Sequence, residues 1–460
     1  MALLTKAPRG TQDVIPADSY KWQHIEQTVL SVAKNFGYRE IRTPVFEHTE
    51  LFLRSVGETT DVVQKEMYTF EDKGGRSVTL RPEGTAGAAR CLLEHSLNND
   101  ALPVKVAYLT SCYRYEKPQA GRLREFHQFG VECFGAAEPG ADAEVIALAR
   151  GVLDQLNITG VSLHINSIGC PTCRAKYHEA LKAYFAEKEE DLCETCRGRL
   201  QRNPMRILDC KSPICSAIAA KAPVMIDYLC EDCAAHFEGV KACLDAAGIA
   251  YEIDTRIVRG LDYYTRTVFE FVSDALGAQA VVCGGGRYDG LIEELGGPHL
   301  PSLGFGMGLE RLLLVMDAIG AAFPEPPRCD LYLAAMGTAA TRRCFAIADG
   351  LRQGGVAVEC DLVGRGLKAQ MKYADKIGAR WVMVVGDNEL SSGTAQLKDM
   401  ASGQTEEVAL DDSLFTTLCN KNIDRQLASL TDLFGEMALN GEGKDDNGLL
   451  SGLFGQEESK

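Results

Sequence analysis

Residues 104–134 read VKVAYLTSCYRYEKPQAGRLREFHQFGVECF. Two apolar β-like runs, Val104–Ser111 and Phe126–Phe134, flank a loop that turns through Pro118 and Gly121. One strand runs out, the chain loops, and a second strand returns, which is an antiparallel pattern. Arg114 and Glu116 are two residues apart and therefore share one face of the outgoing strand. A guanidinium in that place can clamp a phosphate with two parallel hydrogen bonds, and the carboxylate can accept from an adenine amino group. By itself the pair is equally well an Arg–Glu contact on a solvated strand.

On the N-terminal side, Trp22, Ile25, Val29, Val32, Ala33 and Phe36 recur at helical spacing, so residues 18–36 are predicted to form an amphipathic helix that Gly37 stops. Pro44 makes the extended stretch Glu40–Phe46 an edge or irregular strand. Short β-like runs follow at 66–70 and 77–80. Beyond the hairpin come a helical pattern at 141–156, a strand at 161–168, a Cys-rich block, further β-like runs at 250–256, 268–272 and 279–283, and an apolar helix at 309–319. Strands dominate with little βα alternation, so the fold class is α+β on a mainly antiparallel sheet. Pro324–Pro327 reads as a linker. After it, strands and helices alternate at 330–334, 339–353, 357–361, 367–377 and 381–385, the pattern of a compact α/β domain with a parallel or mixed sheet. From Asn420 the chain is rich in Gly, Asp, Glu, Asn and Ser and is expected to be a disordered acidic tail with a nascent helix, despite two echoes, LTDLFG at 430–435 and LLSGLFG at 449–455.

The 460 residues are 46% hydrophobic and 24% charged, enough for sizeable cores in several domains. There is no apolar run of bilayer length and no basic-then-apolar leader, so a cytoplasmic protein with no membrane partner is expected. A net charge of −16 argues on average against nucleic acid. Two basic islands run against that average: Arg114, Lys117, Arg122 and Arg124 between 113 and 124, and Arg365, Lys368, Lys372, Lys376 and Arg380 between 364 and 380.

Three more stretches stand out. Leu303–Leu314 (LGFGMGLERLLL) reads as a glycine-rich turn before a helix, with Arg311 on an otherwise apolar face where it calls for an anionic partner. Val258–Val268 (VRGLDYYTRTV) crowds Arg259, Asp262, Tyr263, Tyr264 and Arg266 between β-rich segments. Cys283–Gly290 (CGGGRYDG) reads as a tight turn beside a ligand; it lacks the spacing of a dinucleotide fingerprint.

Taken together these stretches resemble the class II aminoacyl-tRNA synthetases, and among them the histidyl-tRNA synthetase family. Phe36–Phe46 resembles motif 1, Arg114 and Glu116 with their loop motif 2, and GFGMGLERL motif 3 with Arg311 as its arginine. RGLDYYTRTVFEF and CGGGRYDGL resemble the family's two histidine signatures, and Thr79–Thr85 (TLRPEGT) its amino-acid-binding turn. The resemblance covers residues 1 to about 418. It implies ATP-dependent activation of L-histidine to histidyl-adenylate, then transfer to tRNA(His), with ATP bound as its Mg²⁺ complex. Glu83, Thr85 and Gln128 would hold the α-ammonium group, Glu132 and Tyr264 would read the imidazole, and Tyr263 and Tyr288 would line the same pocket. Arg114 and Arg311 would grip the ATP phosphates, Glu116 the adenine, and Arg259 the histidine carboxylate and the α-phosphate, so that Arg114, Arg259 and Arg311 are the catalytic candidates. Lys117, Gln119, Arg122 and Arg124 on the motif 2 loop would meet the acceptor end, and Arg365, Lys368 and Lys372 would lie in the anticodon-binding domain. A homodimer is implied through motif 1. The implied domains are a catalytic domain in two parts, 1–168 and 241–325, a Cys-rich insertion at 169–240, an α/β anticodon-binding domain at 328–418 and the tail from 420 to 460. The alternative is a synthetase-like regulatory subunit of histidine biosynthesis that charges no tRNA; such proteins lack the anticodon domain and depart from the signatures.

The Cys block is not common to the whole family. Of 17 cysteines, eight lie between 170 and 233. Cys170/Cys173 and Cys193/Cys196 are CxxC pairs at a separation usual for zinc sites made of four cysteines, and Cys210, Cys215, Cys230 and Cys233 are expected to make a second tetrad.

Overall fold

A computed structural model describes residues 5–57, 60, 62–208, 210, 212–257, 261–279, 281–324 and 328–439. The chain divides into two compact units, Met1–Glu325 and Pro326–Lys460.

The first unit is built on an eight-stranded sheet. Its strands are β1 (Arg39–Glu40), β2 (Val104–Tyr113), β3 (Glu125–Phe134), β4 (Val161–Ser167), β5 (Glu252–Ile253), β6 (Thr265–Ser273), β7 (Val281–Arg287) and β8 (Ser302–Gly308). They lie in the order β1-β2-β3-β8-β7-β6-β4-β5. Only the edge pairs β1/β2 and β4/β5 are parallel. The opening stretch is the hairpin β2/β3, in register from Val104↔Phe134 to Tyr113↔Glu125.

Period two divides each central strand between two environments. Phe129, Val131 and Cys133 of β3 and Leu303, Phe305 and Met307 of β8 face one apolar core. That core is roofed by α1 (Pro16–Asn35), α3 (Pro139–Gln155), α7 (Glu231–Ala246) and α8 (Leu309–Ile319). On the opposite face, Tyr108, Tyr263, Tyr264 and Tyr288 join a second cluster with α2 (Thr85–Glu94) and the cysteine insertion. The insertion adds α4 (Pro171–Ala186), α5 (Glu194–Arg202) and α6 (Pro213–Ala219) before α7. Phe46–His48, Ser77–Leu80 and Tyr68–Glu71 form a small antiparallel sheet, which carries the chain to the start of α2.

Two expectations need correction. The glycine-rich stretches at 283–287 and 302–308 are strands, β7 and β8, and not turns. Glycine is disfavoured in a strand unless another group needs the space its side chain would fill. A Cβ on Gly304 would lie 2.1 Å from Glu132 Oε2, and one on Gly306 2.0 Å from Gln128 Nε2. The glycines clear one face of the sheet so that longer side chains can lie across it.

The second unit has a five-stranded mixed sheet, β9 (Leu331–Ala335), β10 (Val358–Cys360), β11 (Trp381–Val385), β12 (Thr394–Asp399) and β13 (Thr405–Ala409), in the order β10-β9-β11-β12-β13. The first three are parallel and the others antiparallel. Helices α9 (Thr338–Gln353) and α10 (Leu367–Lys376) make the parallel crossovers. The final helix, α11 (Ser413–Leu439), runs through the first part of the expected tail. Leu414 and Leu418 are buried in this unit's core, and Lys421 pairs with Glu406 at 3.0 Å. Residues 440–460, with the second echo, lie outside the described residues.

Candidate active site

The face cleared by the glycines opens into a cavity of about 810 Å³. Part of its lining is cationic. Arg114 and Glu116 reach it from the end of β2, Arg122 from the hairpin loop and Arg311 from the first turn of α8. Glu116 links two of them, lying 4.0 Å from Arg114 and 3.2 Å from Arg122. Arg114 donates from Nε to the Pro82 carbonyl at 2.8 Å and stacks over Phe126. Arg311 donates to the carbonyls of Gly121 and Val281. Burial first, then the charge of Arg122 and Arg114 against that of Glu116 and Glu270, pushes its guanidinium below the ordinary value. Three crowded cations, one of them largely buried, favour a polyanion between them.

Another part of the lining, Glu83, Thr85, Gln128, Tyr263 and Tyr264, suits an amino acid. Glu83 accepts from the backbone N–H groups of Thr85 (2.7 Å) and Ala86 (2.8 Å) at the start of α2. Burial still raises its carboxyl above the ordinary range. Gln128 accepts from the Gly84 N–H at 3.2 Å. Glu132 and Tyr288 are fully buried in this wall, the Tyr288 ring packing on those of Tyr263 and Tyr264. Tyr108 donates to one oxygen of Glu132 at 2.8 Å and Tyr288 donates to the other. Burial pushes the Glu132 carboxyl up to about 8, against the hydroxyls of Tyr288, Thr85 and Tyr108. The rings of Tyr263, Tyr264 and Tyr288 stack edge-on or tilted, with centroids 4.7–6.3 Å apart. Arg259 lies outside the described residues.

Sequence reasoning missed what fixes this wall. Arg287, fully buried, bonds Asp142 and Asp289, and His236 of α7 bonds Asp142 at 3.2 Å. The backbone N–H of Asp289 donates to the Thr265 hydroxyl at 3.1 Å, which ties the two tyrosine-bearing stretches together. Charged residues behind apolar strands gave no local signal. Tyr108 was legible: alternation along β2 puts it on the same face as Thr110 and Cys112.

Of the motif 2 loop, Lys117, Gln119 and Arg122 are exposed, whereas Arg124 is half-buried and stacks 3.9 Å over Tyr115. In the second unit Lys368 and Lys372 are exposed on α10, while Arg365 pairs with Asp361 at 2.8 Å and stacks on Tyr373.

The eight cysteines form two tetrads, grouped otherwise than the linear spacing suggested. Cys170, Cys173, Cys230 and Cys233 make one and Cys193, Cys196, Cys210 and Cys215 the other, and within each the sulfurs lie within 4.8 Å of one another. The second is thus nested inside the first along the chain. Cys170, Cys193 and Cys230 occupy the N-cap positions of α4, α5 and α7. Burial opposes ionisation of Cys170, but the N–H groups of Cys173 and Thr172 hold it down to about 6. The Cys196 N–H, against burial, brings Cys193 to about 7. No disulfide forms among the described cysteines.

A mainly antiparallel sheet whose one face carries an arginine cluster and, in the same cavity, Glu83, Gln128 and paired tyrosines is the arrangement of a class II aminoacyl-tRNA synthetase catalytic domain. The family model for histidyl-tRNA synthetase matches residues 10–312, and that for an anticodon binding domain matches 330–416. A histidine–tRNA ligase of Clostridium perfringens is 54% identical over 407 residues, 88% of this chain and 97% of the relative. One of Caldanaerobacter subterraneus is 54% identical over 410 residues, 89% of this chain and 98% of the relative. The crystal structure of apo histidyl-tRNA synthetase of S. aureus matches with a TM-score of 0.78 at 40% identity, covering 90% of this chain and all of that one (100%). The chain belongs to the histidyl-tRNA synthetase family.

Proposed function

We infer that the chain is a histidine–tRNA ligase. The observation that carries this is the juxtaposition, in the lining of one cavity, of Arg114, Arg122 and Arg311 with Glu83, Thr85 and Gln128. ATP fits the arginines, and the α-ammonium group of histidine fits Glu83 and Gln128. In the activation step a histidine carboxylate oxygen attacks the α-phosphorus, the bond to the bridging oxygen breaks and pyrophosphate leaves. The carboxylate is already ionised, so the chain's part is positioning and charge stabilisation. Arg114 and Arg311 hold the phosphates, Glu116 the adenine, and Arg259, assigned from its motif, the carboxylate and α-phosphate. Glu132 and Tyr264 read the imidazole, with Tyr263 and Tyr288 around it. The 3′-terminal ribose hydroxyl of tRNA(His) then attacks the adenylate carbonyl and AMP leaves. Mg²⁺ accompanying ATP would neutralise phosphate charge, and Glu270 and Glu310 would offer the hard oxygen donors it prefers.

Lys117, Gln119, Arg122 and Arg124 serve the acceptor end, and Arg365, Lys368 and Lys372 the anticodon. A homodimer through motif 1, a cytoplasmic location and the domain limits 1–168, 169–240, 241–325, 328–418 and 420–460 complete the reading. Among the described residues no helix is long and apolar enough to cross a membrane. Each tetrad suits zinc: four thiolates in a closed set are a structural Zn²⁺ environment. Presence of the anticodon-binding domain supports the ligase over a regulatory subunit. Histidine-dependent ATP–pyrophosphate exchange together with charging of tRNA by labelled histidine tests the reading; exchange without charging, or neither, refutes it.

A further inference from the structure

The cysteine insertion holds the tyrosine-bearing loop of the catalytic domain through two arginines. Arg174 follows Cys173 directly and donates from Nη1 to the Tyr264 carbonyl at 3.2 Å. Arg206 stands four residues before Cys210 and bonds Asp262 Oδ1 at 3.1 Å. Leu261, Tyr263 and Tyr264, around those contacts, line the cavity. The insertion supplies part of the same wall through Leu208, Cys210, Pro213 and Ser216.

Helices α5 and α6 have nine and seven residues, well below the length at which a helix is stable alone. Tyr177, Leu181, Phe185, Leu200 and Ile207 of the insertion are buried in one apolar cluster, and Cys173, Cys196, Cys215 and Cys233 belong to the same cluster. A tetrahedral ion with Zn–S bonds of about 2.3 Å sets its sulfurs about 3.8 Å apart. Cys170 and Cys173 are at 3.5 Å and Cys193 and Cys210 at 3.9 Å. The anionic charge of a tetrathiolate site is met by helix N-termini and by the Cys230 N–H on Cys173 Sγ (3.0 Å) and the Cys193 N–H on Cys215 Sγ (3.2 Å).

We propose that zinc in the two nested tetrads fixes Arg174 and Arg206 against residues 261–264, so that affinity for histidine depends on metal bound outside the reacting atoms. Arg174 and Arg206 are positioning residues in this scheme. It rests on the zinc reading given above, and the experiment separates the two. Zinc and iron are measured in reduced wild-type protein, Cys196→Ser and Arg206→Ala. Hydrogen exchange of residues 261–264 and KM values for histidine and ATP are measured on the same preparations. Two zinc ions per wild-type chain are expected, one in Cys196→Ser and two in Arg206→Ala. Both variants should show faster exchange at 261–264 and a histidine KM raised about 10- to 100-fold, the range for a small misplacement of binding groups, with the ATP KM within about twofold. Absence of zinc, or iron in its place, overturns the zinc reading and the inference with it. Two zinc ions, with unchanged exchange and histidine KM in Arg206→Ala, overturn the inference alone. If Cys196→Ser does not fold, Arg206→Ala, which leaves both tetrads intact, decides by itself.

Discussion

Glu132 offers a sharp test of how the pocket recognises its amino acid. Its carboxyl, pushed up to about 8 by burial, is mostly protonated at pH 7. Free imidazole has an ordinary value of about 6.5. Between about 6.5 and 8 the separated partners carry one proton between them, on Glu132, and the complex also needs one, shared between carboxyl and ring. Binding then takes up and releases no proton, and affinity is flat. Above about 8 the free carboxyl is ionised and the ring neutral, so binding must take up a proton and weakens about tenfold per pH unit. Below about 6.5 the ring is already protonated, binding must release a proton, and affinity again falls about tenfold per unit. Glu132→Gln keeps a donor and an acceptor but cannot ionise. It should lose a charge-assisted hydrogen bond of about 1.5–3 kcal/mol, a rise in histidine KM of about 10- to 150-fold on the plateau, and it should lose the alkaline limb near 8 while keeping the acid one. The assay is histidine-dependent pyrophosphate exchange at saturating ATP from pH 5.5 to 9.5. An alkaline limb near 8 that persists in the glutamine variant would refute the reasoning.

Gly306→Ala places a methyl group on Gln128 Nε2; the amide can swing aside, so we expect a histidine KM raised roughly tenfold with Tm nearly unchanged, and a large fall in Tm would show that the glycine serves packing alone. Asp142→Asn leaves Arg287 buried beside His236 without its carboxylate and should cost about 3–5 kcal/mol in denaturant unfolding; a loss under about 1 kcal/mol would mean that Asp289 suffices. Arg259→Lys should slow adenylate formation by about 10²–10³ in single-turnover kinetics, with transfer from preformed adenylate affected less and circular dichroism unchanged; near-normal adenylation removes Arg259 from the catalytic set. Deletion from Arg328 onward should weaken tRNA charging far more than pyrophosphate exchange, and equal loss of both in a folded product would contradict the division of labour between the two units.

The hairpin at 104–134 was readable because both strands alternate and its loop carries Pro118 and Gly121. The mixed sheet of the second unit was readable from regular alternation of apolar strands and helices. Leu303–Gly308 was misread because glycine usually marks a turn; only the partner strand, with Gln128 and Glu132 lying over it, explains glycine at every second position. The cysteines announced their chemistry through CxxC spacing but not their partners. Cys170 meets Cys230 and Cys233 across 60 residues because α4 and α7 return to one place, and sequence distance carries no record of that return. The buried group of Asp142, His236 and Arg287 was invisible for the same reason: its members come from three elements, none with a pattern of its own.

The two-sided character of the central strands has a consequence for how this enzyme can change. In β3, a mutation at Phe129, Val131 or Cys133 is felt by the roof of helices, and one at Gln128, Gly130 or Glu132 by the substrate pocket. The two sets alternate along ten residues yet answer to different pressures. Drift among apolar residues can retune heat tolerance while amino-acid choice stays fixed. A shift in amino-acid choice, conversely, needs paired changes across the β3/β8 boundary, because any longer side chain on β3 must find a glycine opposite, and any side chain gained on β8 evicts one from β3.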